Sequence, residues 1–129
     1  MNAKRAAKLM RIADYYGAEV QVCKLMEELG EAVSAASAVQ MKQTFHEDCG
    51  KDADLQERLE HLAAELADVS NLTEQILYLY GLETDFKVAR HRGIRKTIER
   101  IKQEQGIAGG GSVVSIFKTK EQKNDGTEK

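Results

Sequence analysis

The apolar residues of this 129-residue chain recur at helical spacing in four separate stretches. Spacings of three and four residues place side chains on one face of an α-helix, so the pattern predicts four helices. Helices joined by short connections can bury such stripes only against one another, which predicts an all-α fold, an antiparallel four-helix bundle completed by dimerisation. The predicted stripes are Ala6, Leu9, Ile12, Ala13 and Tyr16; Val22, Leu25, Met26, Leu29, Ala32, Val33 and Ala36; Leu59, Leu62, Leu66, Val69, Leu72, Ile76 and Leu79; and Ile94, Ile98 and Ile101.

Interruptions in the pattern predict where the helices end. Gly17 is expected to end the first helix, and residues 46–54 (HEDCGKDAD) lack periodicity and are expected to form a polar loop before a third helix that starts at Leu55. Gly81 is predicted to form the left-handed C-terminal cap of that helix, and Thr84 to cap the fourth helix.

Two regions follow from these boundaries. Residues 1–106 are predicted to form the helical domain, and residues 107–129 a flexible, glycine-rich tail. Within the tail, SVVSIF could instead form a short strand or dock on a partner.

Composition narrows the class of protein. The chain is 42% apolar and 31% charged, with a net charge of -2, which favours a soluble globular protein and argues against stable nucleic-acid binding. The first 20 residues contain no apolar run, so neither a signal peptide nor a membrane span is predicted and a cytoplasmic location is expected. Cys23 and Cys49 are too few for a zinc site and are expected to be reduced.

Two pairs of carboxylates lie beside the apolar stripes of the second and third helices. Glu28 with Glu31, and Glu65 with Asp68, are each spaced by three residues and share a helix face; Glu27 adjoins the first pair. The midpoint between the two pairs falls in the predicted loop, so an antiparallel hairpin brings them to the same height. Converging carboxylates repel unless a cation neutralises them, and ligation by oxygen alone favours Mg²⁺ or Mn²⁺.

A basic segment lies beyond the second turn. Residues 87–102 contain seven basic residues and one acid, a net charge of +6, whereas residues 27–68 contain eleven acids and three bases, a net charge of -8. A metal-polyphosphate complex needs cations on one side and Arg or Lys on the other, so Arg95, Lys96 and Arg100 are candidate phosphate-binding residues. Salt bridges between the third and fourth helices are the favoured explanation for three of the other four bases in this segment, Lys87, Arg90 and Lys102.

The pattern EExxE (residues 27–31) followed by ExxD (residues 65–68), embedded in KLMEELGEAV and ELADV, resembles the MazG-like all-α nucleoside triphosphate pyrophosphohydrolases. That superfamily includes the dimeric all-α dUTPases and phosphoribosyl-ATP pyrophosphatase. The resemblance covers residues 20–102. The gap between the two motifs is longer than in compact members, and neither a base-recognition signature nor a counterpart of the tail is identified.

The resemblance implies a helical bundle assembled as a homodimer or homotetramer that splits an NTP or dNTP into its monophosphate and pyrophosphate. It implies Mg²⁺ ligation by Glu28, Glu31, Glu65 and Asp68, with Glu27 assisting a second ion or orienting water. Activities like those of the dUTPases or of phosphoribosyl-ATP pyrophosphatase stay open within the superfamily.

Two other classes of protein compete with this interpretation. A ferritin-like di-iron bundle needs ExxH pairs, and Glu57 to His61 has the wrong spacing. A non-catalytic helical adaptor could use the same acidic hairpin to bind a partner. His61 is expected to be a surface residue, and Asn71 is a less favoured candidate for hydrogen bonding a ligand or a base.

Overall fold

The computed structural model describes residues 2–44 and 52–106, and every regular element in that part of the chain is an α-helix. The predicted all-α class is confirmed. The predicted tail, Cys49 and most of the predicted loop lie outside the described residues. None of the described helices combines the length and the hydropathy needed to cross a membrane. The helices are α1 (Ala3–Tyr16), α2 (Ala18–Thr44), α3 (Asp52–Tyr80) and α4 (Glu83–Glu104).

Two glycines end helices as the sequence predicts. Gly17 has φ 82° and separates α1 from α2 by a single residue. Gly81 has φ 64°, its N–H lies 3.3 Å from the carbonyl oxygen of Tyr78, and the N–H of Leu82 donates to the carbonyl oxygen of Leu77 at 2.9 Å. This pair of bonds is the Schellman arrangement that satisfies the free carbonyls at a helix end.

Two predicted helix starts are wrong by a few residues. α3 begins at Asp52 instead of Leu55, so the last three residues of the predicted loop are helical. Thr84 lies inside α4, which begins at Glu83. Asp54 lies in the first turn of α3, and Glu83 and Asp85 lie in the first turn of α4. Acidic residues at these positions interact favourably with the positive end of the helix dipole.

The chain divides into two compact units, Met1–Glu83 and Thr84–Lys129. In the first unit α2 and α3 form an antiparallel hairpin, because Gln21 near the start of α2 hydrogen-bonds Gln75 near the end of α3, while Arg58 early in α3 donates to the carbonyl oxygen of Ala38 late in α2 at 2.7 Å. α1 packs mainly on α3. The described part of the second unit consists of α4 and the turn that follows it.

An ion pair and a hydrogen bond connect α1 to α3. Arg5 Nη2 lies 2.6 Å from Glu74 Oε1, and the Tyr78 hydroxyl donates to Asp14 Oδ2 at 3.2 Å. Among the described residues of the first unit, the buried apolar side chains are mostly small, which lets the helix backbones approach closely. They are Leu9 and Ala13 in α1, Ala32, Ala35 and Val39 in α2, and Leu72 in α3.

Part of the predicted core is exposed in the single chain. Met26, Leu29 and Val33 of α2 are 68%, 46% and 71% exposed, and Leu59 and Leu66 of α3 are also exposed. The apolar stripes are wider than one helix-helix contact can cover. The buried apolar residues of α2 are Ala32, Ala35 and Val39, so the buried face of that helix is centred away from Met26, Leu29 and Val33. In α4, the stripe residues Ile94, Ile98 and Ile101 are exposed as well.

Candidate metal centre

Three of the five predicted carboxylates converge on one point. One oxygen from each of Glu28, Glu31 and Glu65 lies within 4.8 Å of the others, a spacing that could hold a metal ion. Glu28 and Glu31 are one turn apart on α2, and the antiparallel hairpin places Glu65 of α3 at the same height. The predicted alignment of the two motifs is therefore observed for these three residues.

The three carboxylates differ in their exposure to solvent. Glu28 and Glu65 are 6% and 8% exposed, whereas Glu31 reaches solvent. Glu65 Oε1 lies 3.5 Å from Nδ1 of His61, and Glu65 Oε2 is buried without a hydrogen-bond partner among the described residues. An unpaired buried carboxylate oxygen is costly, and a cation is the group that compensates it best.

Crowding of negative charge affects the pKa of Glu31. The pKa of Glu31 is raised above its ordinary value, mainly by the charge of Glu28 and then by that of Glu65. A raised carboxyl pKa signals that the site holds more negative charge than its surroundings neutralise. A divalent cation would reverse this effect by favouring the ionised form.

Lys24 provides partial neutralisation that the sequence analysis overlooked. Its Nζ lies 2.7 Å from Glu28 Oε1 and 3.2 Å from Glu27 Oε1, and these bonds raise the pKa of Lys24. Glu27 is thus directed to Lys24 and lies outside the group of three. The spacing of four residues between Lys24 and Glu28 is the signal that could have identified this pair.

Asp68 is exposed and is likewise outside the group of three, but it borders the same region. With Glu28 it lines a cavity of about 530 Å³ formed by α1, α2 and α3. Much of the cavity wall is apolar, and two buried amides, Gln21 and Gln75, interrupt it. The sequence analysis did not predict either glutamine, because only the apolar positions of these helices were taken as the core. The available signal was their spacing from the apolar stripes: Gln21 lies four residues before Leu25, and Gln75 lies three residues after Leu72.

The basic candidates lie on the second unit. Arg95, Lys96 and Arg100 are exposed and line a shallow depression on α4. Of the bases predicted to form salt bridges with the third helix, Lys102 instead pairs with Glu99 of its own helix at 3.4 Å. Arg90 stacks over Phe86, with its guanidinium carbon 4.5 Å from the ring centroid.

No protein-family model, curated protein or solved structure matches this chain. The resemblance of its carboxylate motifs to the MazG-like enzymes and the geometry of those carboxylates are therefore the grounds for assigning a chemistry. Cys23, the one cysteine in the part of the chain that the structure describes, is exposed and has a free thiol.

Proposed function

We propose that the protein is a Mg²⁺-dependent nucleoside triphosphate pyrophosphohydrolase of the MazG-like all-α type, converting an NTP or dNTP into the monophosphate and pyrophosphate. The observation that carries the proposal is the convergence of Glu28, Glu31 and Glu65 within 4.8 Å across two antiparallel helices. The same residues belong to the two motifs that resemble the family.

The donor set fits a hard divalent cation. The three converging groups are all carboxylates, and one buried oxygen of Glu65 has no partner among the described residues. Oxygen ligands of this kind suit Mg²⁺ and Mn²⁺ better than Zn²⁺. Glu28, Glu31 and Glu65 would hold the ion, and Asp68, which borders the adjoining cavity, would complete the set.

The proposed reaction adds water to the α-phosphorus, breaks the bond from that phosphorus to the α–β bridging oxygen, and releases a monophosphate, pyrophosphate and a proton. A bound Mg²⁺ supplies positive charge that lowers the pKa of water and offsets the charge of the phosphates. His61 and Lys24 hold the carboxylates of Glu65 and Glu28 in place, at 3.5 Å and 2.7 Å. Glu27 would orient the attacking water.

Arg95, Lys96 and Arg100 would bind the oxygens of the departing pyrophosphate, a role supported by their charge and their exposure on one stretch of α4.

We propose that the four helices form an antiparallel bundle completed by a second copy of the chain. The exposed apolar residues of α2 and α3 support that assembly.

The test is an assay of pyrophosphate release by the purified full chain with Mg²⁺, using the common NTPs and dNTPs, dUTP included. Glu28→Gln, Glu65→Gln and Asp68→Asn should each abolish release, because each removes a negative ligand while preserving side-chain size. Glu57→Gln is the matched control, since it changes an exposed carboxylate of α3 two turns before Glu65. Circular dichroism should show that all variants stay folded.

Two results would contradict the proposal. Full activity of Glu28→Gln or Glu65→Gln would exclude these carboxylates from the reaction. Failure of every nucleotide to yield pyrophosphate, together with no rise of Tm in millimolar Mg²⁺, would favour the adaptor, because a cation bound by the folded state stabilises it.

A further inference from the structure

Two buried amides form an ordered relay at the wall of the cavity between α1, α2 and α3. Gln21 and Gln75 are each only 4% exposed, yet both line the cavity. Gln21 Nε2 donates to Gln75 Oε1, and Gln75 Nε2 donates to the carbonyl oxygen of Asn71 at 3.2 Å. Asn71 contributes to the cavity wall as well.

The relay determines which way each amide points. A carbonyl oxygen only accepts hydrogen bonds, so the bond to Asn71 requires that the amino group of Gln75 faces it. Gln75 Oε1 must then face the amino group of Gln21. Gln21 Oε1 is left as an acceptor that receives no hydrogen bond from the described residues, and it is not sealed from solvent.

Such a pair is an unusual choice for a purely structural contact. Replacing two buried, mutually bonded polar groups by apolar groups of the same shape is often neutral or stabilising. The wall also contains apolar residues such as Leu9, Ile12 and Leu72, and its charged residues are Lys24, Glu28 and Asp68. The two amides are thus oriented, uncharged polar groups beside apolar side chains. A recess of a few hundred cubic ångströms with few oriented polar groups is the usual form of a small-molecule site.

The cavity also adjoins the candidate metal centre. Glu28 and Asp68 belong to its wall, and Gln21 precedes Glu28 by two helical turns on α2, about 10 Å along the axis. That separation is comparable with the reach from the edge of a base to the phosphates of an extended nucleotide. Phosphates at the carboxylates would therefore bring the base to the amides.

We infer that this cavity binds the nucleobase of the substrate and that Gln21, oriented by Gln75, is the residue that recognises its hydrogen-bonding edge. The inference rests on the proposed function for the position of the phosphates. The ligand class is a planar heterocycle that presents a hydrogen-bond donor to Gln21 Oε1 beside an acceptor for the remaining amide hydrogen. Leu9, Ile12 and Leu72 would cover the faces of the ring.

The first test compares nucleotide hydrolysis by the parent chain, Gln21→Leu and Gln75→Leu. Both variants should raise the KM of the preferred nucleotide at least tenfold and reduce the difference in kcat/KM between the best and worst base to less than threefold, with kcat little changed. Gln56→Leu is the matched control, because Gln56 is an exposed glutamine at the other end of α3. Unchanged KM and unchanged base discrimination in Gln21→Leu would overturn the inference while leaving the proposed function intact.

The second test does not depend on hydrolysis. Nucleoside monophosphates should shift the side-chain amide NMR signals of Gln21 and Gln75 in the parent chain without moving those of Gln56, whereas inorganic tripolyphosphate should not shift them. Shifts of this kind in a chain that releases no pyrophosphate would support the base site and reject the proposed reaction. Absence of any shift with all four bases would overturn the base site.

Discussion

At the residue scale, Glu31 connects the geometry of the carboxylates to the dependence of stability on pH. Because neighbouring charges raise its pKa, the folded chain holds the Glu31 proton more tightly than the unfolded chain does. The repulsion is fully present above the raised pKa, and it is relieved as the pH falls through that value toward the ordinary pKa of 4.5. Below that point both states are protonated, and no further change is expected from this group.

Glu31→Gln removes the charge that is repelled. In EDTA at pH 8 the variant should therefore have a higher Tm than the parent chain, and its advantage should shrink as the pH approaches 5. Millimolar Mg²⁺ should raise the Tm of the parent more than that of the variant, since the variant lacks one carboxylate of the group. Thermal melts at several pH values measure both effects, with Glu57→Gln as the control. A Tm difference that is independent of pH would refute the electrostatic explanation.

At the element scale, the far end of the α2–α3 hairpin is held by a cluster of charges. Arg58 donates to the carbonyl oxygen of Ala38 at 2.7 Å, and its Nε lies 3.2 Å from Asp54 Oδ2. Lys42 Nζ lies 3.7 Å from the same carboxylate. The cluster joins the end of α2 to the beginning of α3, on either side of residues 45–51.

Arg58→Met should lower the free energy of unfolding by about 1–3 kcal/mol, the range for the loss of hydrogen bonds made by a charged group. Urea unfolding followed by circular dichroism measures this loss. Lys8→Met is the control, because Lys8 is exposed and makes no ion pair among the described residues. Equal stability of the two variants would show that the cluster does not hold the hairpin together.

The elements were largely predictable from the sequence, whereas the orientation of their faces was not. Spacing identified four helices and their glycine caps, and the loop midway between the two carboxylate pairs predicted that Glu65 lies opposite Glu28 and Glu31. The spacing of apolar residues did not predict that Val33 is exposed or that Gln21 is buried. Which side of a wide apolar stripe meets the neighbouring helix depends on the packing of small residues such as Ala35, and periodicity contains no information about that choice.

At the scale of the whole molecule, several large apolar residues of α2 and α3 are exposed in the part of the chain that the structure describes. Met26, Leu29 and Val33 share one face of α2, and Leu59 and Leu66 share one face of α3, by spacings of three, four and seven residues. An exposed apolar surface of this kind is typical of a protein-protein interface. A second copy of the chain is the partner that the proposed assembly requires.

Val33→Asp and Leu66→Asp should each convert the proposed dimer into a monomer, because each would place a charge in an apolar contact. Analytical ultracentrifugation of the full chain measures the change. Tyr15→Asp is the control, since Tyr15 is 81% exposed and belongs to a different helix, α1. A parent chain that sediments as a monomer, or variants that still form dimers, would exclude this surface as the interface.

The separation of roles among helices has an evolutionary consequence. The three converging carboxylates belong to α2 and α3, whereas α1 contributes Leu9, Ile12 and Tyr16 to the cavity and is joined to α2 through Gly17 alone. Substitutions in α1 can reshape that wall without altering any of the three carboxylates. In the proposed nucleotide site, drift in this one short helix would change how the faces of the base are covered, while the acidic hairpin is inherited unchanged.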